Sequence, residues 1–206
     1  MKLSGTILLV ILFALGWFEL IAQFYLIIIN RTTSITETII RYFSFFTILT
    51  NLLVTICITA LLFARAGNFF TRPGTITAAA VYITIVALVY NIILRSLWRP
   101  AGLQQFVDEL LHSIVPVLYL IYWIIWIPKT DIPVKKVPAW LIYPFVYLVF
   151  ILIRGIFSLY YPYPFVDVAS LGYKKVFINS AGMLLAFLAV SMIFFGVNKL
   201  KKEKGA

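Results

Sequence analysis

The chain is poor in the groups that build most water-soluble active sites. Its 206 residues include one histidine, one cysteine and seven acidic side chains. Cys57 lies alone inside an apolar run, so neither a disulfide nor a zinc site follows from it. With one histidine and scattered carboxylates, a tightly bound transition metal is not expected. The sequence has no Gly-x-Ser-x-Gly elbow, no His-Glu-x-x-His, no phosphate loop and no dinucleotide fingerprint. An enzyme made from this chain is expected to use no cofactor. Only 12% of the residues are charged, too few to wrap a soluble globule of this size.

What the chain has is apolar length. It is 63% hydrophobic with a mean hydropathy of +1.04. A spanning helix needs about 20 apolar residues. Six runs qualify, at 6–29, 41–64, 75–95, 108–127, 139–157 and 174–197. The breaks between them carry charge or turn residues, as in Asn30-Arg31-Thr32-Thr33, Arg72-Pro73-Gly74 and Arg99-Pro100-Ala101-Gly102. The expected fold is all-α: a polytopic membrane protein of six helices in one bundle, a single domain over residues 1–206. Lys2 followed by an apolar stretch imitates a secretory signal, but the stretch continues to Ile29 without a small-x-small cleavage site, so it reads as a retained span.

The net charge of +10 lies between the apolar runs and on the Lys199–Lys204 tail. That distribution fits membrane topology and anionic headgroups, with membrane lipids rather than nucleic acid as partners. The positive-inside rule puts Lys2, Arg65, Arg72, Lys129 and the tail on the cytoplasmic face, with both termini inside.

With that orientation the outer half of the bundle is the polar half. Thr47 falls six residues into the second span, roughly 9 Å deep at 1.5 Å per residue. His112 falls about one turn into the fourth, about 8 Å deep. A histidine suits proton transfer near neutral pH, and an ionisable group inside a span is costly to keep there. A lone histidine level with a buried hydroxyl suggests a nucleophile and its base. Thr50 and Asn51 flank the face of Thr47, while Tyr90, Asn91 and Arg95 end the third span. Arg154 lies at the outer end of the fifth span and Asn179 one turn into the sixth. Asp108 is four residues before His112 and within reach of a ring nitrogen. Glu19 and Gln23 lie deeper, in the first span. Bland roles compete with each of these. A threonine can return its hydroxyl to its own helix, an asparagine can join two helices, and an arginine can snorkel to headgroups.

In order, the chain carries Arg41-Tyr-Phe-Ser-Phe-Phe-Thr47-Ile-Leu-Thr-Asn51, Val89-Tyr-Asn91, Leu111-His112-Ser-Ile-Val-Pro116, Tyr143-Pro144, Arg154-Gly155 and Tyr161-Pro-Tyr-Pro-Phe165. This ordered set resembles the androgen-induced, FAR-type family of six-span membrane proteins, most of all its bacterial branch, over residues 41 to 180. The resemblance implies a threonine hydrolase that cleaves fatty acid esters of hydroxy fatty acids. It assigns the nucleophile to Thr47, with Thr50 as a rival one slip away, and the histidine to His112. From the residues alone, Asn51, Asn91 and Arg154 are candidate oxyanion donors, and Asp108 is a candidate orienting group for the imidazole. Thr50, Tyr90, Arg95, Tyr161, Asn179 and Glu19 are candidate pocket residues. The expected location is a bacterial cytoplasmic membrane, with the site toward the outer leaflet. Two other classes compete: a small solute or proton-coupled transporter built on Glu19, Gln23, His112 and Arg154, and a lipid-binding protein without turnover.

Overall fold

A computed structural model of the chain describes residues 3–64, 67–128 and 132–204. Lys2, Arg65 and Lys129, three of the charges that set the expected orientation, lie outside the described residues. The described residues are mostly helical and contain no strand. Six helical stretches are long and apolar enough to cross a membrane: Leu3–Ile29, Phe46–Phe63, Pro73–Leu94, Gly102–Trp126, Val134–Ser158 and Val168–Leu200. The protein is an integral, multi-pass membrane protein. Its chain divides into two compact units, Met1–Lys129 with four spans and Thr130–Ala206 with two.

In the first unit, α1 (Leu3–Ile29) is followed by a short α2 (Ile35–Tyr42) and then α3 (Phe46–Phe63). The second span therefore begins at Phe46, where the apolar run had suggested residue 41. The cause is local. Ser34 caps α2 by accepting from the Glu37 N–H at 3.2 Å, and Glu37 pairs with Arg41 one turn on at 2.8 Å. The chain then turns at Phe43–Phe45. There the Ser44 hydroxyl donates to the Ile40 carbonyl and Tyr42 reaches across to donate to the Leu20 carbonyl at 2.8 Å. An amphipathic helix with its own cap is a separate element, not the start of a span.

Helices α1 and α3 run antiparallel. Phe13 meets Phe63 with ring centroids 5.6 Å apart, and one turn on along α1 and one turn back along α3 Trp17 donates to Thr59 at 3.2 Å; beside them Gly16 lies against Thr55. A side chain at residue 16 would run into the Thr55 hydroxyl, so glycine is what lets the two backbones approach. Helix α4 (Pro73–Val89) opens with proline in its first turn, where the missing N–H costs nothing. The fourth span comprises α5 (Gly102–Glu109), a π-helical turn (Leu110–Ile114) and α6 (Val115–Trp126). It begins at Gly102, not near residue 108, and its added polar turn is tied down by Gln104 donating to Gln23 at 2.8 Å.

The second unit holds α7 (Ile142–Ser158), preceded by a 3-10 helical stretch Val134–Leu141, and α8 (Val168–Lys204). Helix α8 breaks at Gly172 (φ 71°, ψ 158°), a conformation open to glycine and strained for other residues. The continuous apolar part thus starts just after residue 172, close to the expected boundary at 174.

Candidate active site

Two helix irregularities build one end of the first unit. The third span ends in a π-helical turn, Tyr90–Leu94, closed by the Arg95 N–H donating to the Tyr90 carbonyl at 2.8 Å. The fourth carries the π-helical turn Leu110–Ile114, in which the Val115 N–H donates to the Leu110 carbonyl. Pro116 accounts for the disturbance there. Proline has no N–H, so the His112 carbonyl four residues back loses its α-helical donor. In the π register Val115 serves Leu110, and the Leu111 carbonyl then looks five residues ahead, again to Pro116. Two consecutive carbonyls in an apolar span lose their helix donors, which is costly wherever water is absent.

Two asparagine amides fill the gap. Asn51 Nδ2 donates to the Leu111 carbonyl at 3.1 Å and to the Thr47 carbonyl at 2.9 Å. Asn91 Nδ2 donates to the His112 carbonyl at 3.3 Å and to the Ala87 carbonyl at 2.9 Å. One nitrogen of Asn51 thus bridges the main chain at Thr47 to the main chain beside His112. The matched depths inferred from the sequence rested on helix starts at 41 and 108, and the structure moves both starts. The juxtaposition stands on the Asn51 bridge instead.

Thr47 is buried in the first turn of α3. A helix N-terminus presents main-chain N–H groups and the positive end of the macrodipole. Thr50 is fully buried on the same helix. An apolar cluster of Leu20, Leu26, Tyr42, Ile48, Val107 and Leu111 packs beside this layer.

His112 is buried, and its ring has three defined contacts, two to Asp108 and one to Tyr90. Its Nδ1 lies 2.9 Å from the Asp108 main-chain oxygen and 3.5 Å from Asp108 Oδ1. Its ring stacks on Tyr90, with centroids 3.9 Å apart and planes 14° from parallel. The Tyr90 hydroxyl donates to Asp108 Oδ2, closing a Tyr90–Asp108–His112 set. Arg95 borders it, its guanidinium 5.4 Å from the Tyr90 ring centroid, paired with Glu109 at 2.6 Å and donating to Ser113 at 3.2 Å.

Several expectations change in detail. Asn51 and Asn91 commit their amide hydrogens to main-chain carbonyls, so neither serves as an oxyanion donor in this arrangement. They are the framework of the site. Asp108 meets the imidazole chiefly through its main-chain carbonyl, with its carboxylate engaged by Tyr90. Arg154, Tyr161 and Asn179 belong to the second unit. There Arg154 donates to Ser158 and to the Tyr160 carbonyl, Tyr161 fills the space left by the missing side chain of Gly155, and Asn179 donates to the Phe165 carbonyl at 2.9 Å. Glu19 is fully buried in α1, and neither carboxylate oxygen has a hydrogen-bond partner among the described residues. No group of three or more metal-ligating side chains occurs among the described residues.

Sequence reasoning had missed the two π-helical turns and the separate α2. The signals were present: Pro116 in the middle of a span, and Ser34 three residues before Glu37. No family model, no characterised protein and no solved structure matches the chain.

Proposed function

We propose that this protein is an intramembrane lipid ester hydrolase with Thr47 as nucleophile and His112 as general base. The observation that carries the reading is the Asn51 bridge. It brings the first turn of α3, with the Thr47 hydroxyl, to the π-helical turn that holds the only histidine. His112 accepts the Thr47 proton as the hydroxyl oxygen attacks the ester carbonyl carbon. The resulting imidazolium returns the proton to the alkoxide as the tetrahedral intermediate collapses, releasing an alcohol and leaving an acyl-threonine. Water, deprotonated by the same imidazole, then attacks the acyl carbon and frees the acid. The oxyanion forms beside the helix N-terminus on which Thr47 sits, where main-chain dipoles favour negative charge.

The substrate class is a lipid ester whose carbonyl lies below the headgroups. The resemblance of residues 41–180 to the FAR-type family favours fatty acid esters of hydroxy fatty acids or related esters. On the orientation set by the basic residues, the site faces the outer leaflet of a bacterial cytoplasmic membrane, with both termini inside. A second reading, a proton- or solute-coupled transporter, draws on the buried Glu19, a residue that the hydrolase mechanism does not use.

Labelling of the purified protein by a fluorophosphonate ester probe separates the two. Wild type is expected to label, and Thr47→Ala and His112→Ala each to lose labelling by at least about a hundredfold, since nucleophile and base act as a unit. Folded wild type that does not label sinks the hydrolase reading. Labelling that survives Thr47→Ala and fails in Thr50→Ala moves the nucleophile one turn along.

A further inference from the structure

We infer that Tyr90 is a positioning residue for His112, holding the imidazole as the tautomer protonated at Nδ1 with Nε2 as its basic nitrogen. The chemical use of this arrangement rests on the hydrolase reading; the arrangement itself does not. A carbonyl oxygen only accepts, so the 2.9 Å contact between Nδ1 and the Asp108 main-chain oxygen assigns the proton to Nδ1. In the neutral ring the lone pair is then on Nε2. One hydrogen bond to the ring's own helix is weak insurance against rotation, and Tyr90 supplies the rest. Its ring lies flat on the imidazole at 3.9 Å and blocks the volume into which the ring would turn.

Tyr90 is in turn held at both ends. Its backbone closes the first π-helical turn, accepting from the Arg95 N–H at 2.8 Å, and its hydroxyl engages Asp108 Oδ2. That second contact keeps the carboxylate oriented, with Oδ1 at 3.5 Å from Nδ1. The carboxylate can then steady the positive charge that appears on the ring when Nε2 takes the Thr47 proton, without drawing Nδ1 off its carbonyl. The two duties of the acid in a serine triad, orienting the imidazole and balancing its charge, are divided here. The Asp108 main chain and the Tyr90 ring do the first, and the Tyr90-held carboxylate does the second.

Because His112 is the only histidine, nitrogen NMR of the full chain labelled at histidine reads this ring alone. Spectra would be taken in nanodiscs in mildly alkaline buffer, where the neutral ring is observed. Wild type is expected to show one species, protonated at Nδ1; an Nε2-protonated ring overturns the proposal without any variant. Tyr90→Leu, which removes ring and hydroxyl, is expected to give averaged or doubled tautomer signals. Tyr90→Phe, which restores the ring alone, is expected to recover the single tautomer yet label with the fluorophosphonate about tenfold more slowly than wild type. A single Nδ1-protonated species in folded Tyr90→Leu overturns the positioning role even where labelling of wild type succeeds. Scrambling in Tyr90→Leu alongside a wild type that does not label keeps the positioning role and removes the hydrolase.

Discussion

At one end of the four-span unit, Trp123 donates to Thr77 at 3.0 Å, Thr77 donates to the Pro73 carbonyl at 2.7 Å, and Tyr119 donates to the Ile76 carbonyl. All of these partners sit on regular helix or at its first turn, and the aromatic side chains are fully buried. At the other end, Asn51 and Asn91 donate to carbonyls that have lost their helix donors. A side-chain donor to main chain between helices, Tyr119 at the first end and the asparagines at the second, thus has two uses. In the first it joins helices that would be helical anyway. In the second it replaces part of the helix, so the chain can depart from α geometry and place an imidazole against a tyrosine. A polar layer that only glues leaves the backbone regular, and a polar layer that builds a site breaks it.

The sharpest way to break this comparison is Asn51→Leu. It leaves the Leu111 carbonyl without a donor and frees the Thr47 carbonyl, in a residue with no exposure at all. The Thr47 carbonyl keeps its donor within α3, so one orphaned buried carbonyl sets the cost, and a loss of about 1–3 kcal/mol is expected in denaturant unfolding in micelles. Fluorophosphonate labelling should vanish with it. Unchanged stability would mean that water enters this layer and the bridge is dispensable.

Pro116→Ala tests the other half of the mechanism, because it returns the missing N–H. Alanine in a helix interior is favoured over proline by about 3 kcal/mol in a neutral host, so the variant should be more stable by about 1–3 kcal/mol. It should also label at least about tenfold more slowly, because the fourth span can now straighten and release the Asn51 and Asn91 bonds. A variant that is stabilised and still fully active would show that the π-helical turn is set by packing and not by proline.

How much of this could be read beforehand follows the same division. Apolar length located all six spans, because burial from water acts on whole segments and tolerates a few residues of error. The ends moved where local polar bonds overrule hydropathy: Ser34, Glu37 and Arg41 detach α2, and Gln104 with Gln23 extends the fourth span. Thr47 and His112 stood out by chemical type. The roles of Asn51, Asn91 and Asp108 did not, because those depend on which carbonyls a π-helical turn leaves open, a property of the backbone path and not of residue type.

Glu19 fits neither end. It sits one turn beyond Gly16 on the face of α1 that meets α3, and both its oxygens lack hydrogen-bond partners among the described residues. Its influence is felt at Tyr42, whose hydroxyl is pushed well above the usual phenol range by burial first and by Glu19 second. A carboxyl kept only for packing would be improved by removal. Glu19→Leu is then expected to stabilise by about 1–3 kcal/mol in the same unfolding assay and to leave labelling intact. Destabilisation, or loss of a transport signal in proteoliposomes, would give Glu19 a ligand or proton of its own and move the transporter reading forward.

The smallest effect belongs to the regular end, and it serves as the control. Thr77→Val keeps the shape of the side chain and removes the acceptor for the Trp123 indole N–H. The Pro73 carbonyl that Thr77 also engages lies at the start of α4, so the helix itself loses nothing essential. The cost should be about 1 kcal/mol, mostly the unsatisfied indole. Labelling and the His112 tautomer should both be unchanged. A Thr77→Val variant that disturbed either readout would show that the two ends communicate through α4, and the contrast between glue and site would then be one of degree.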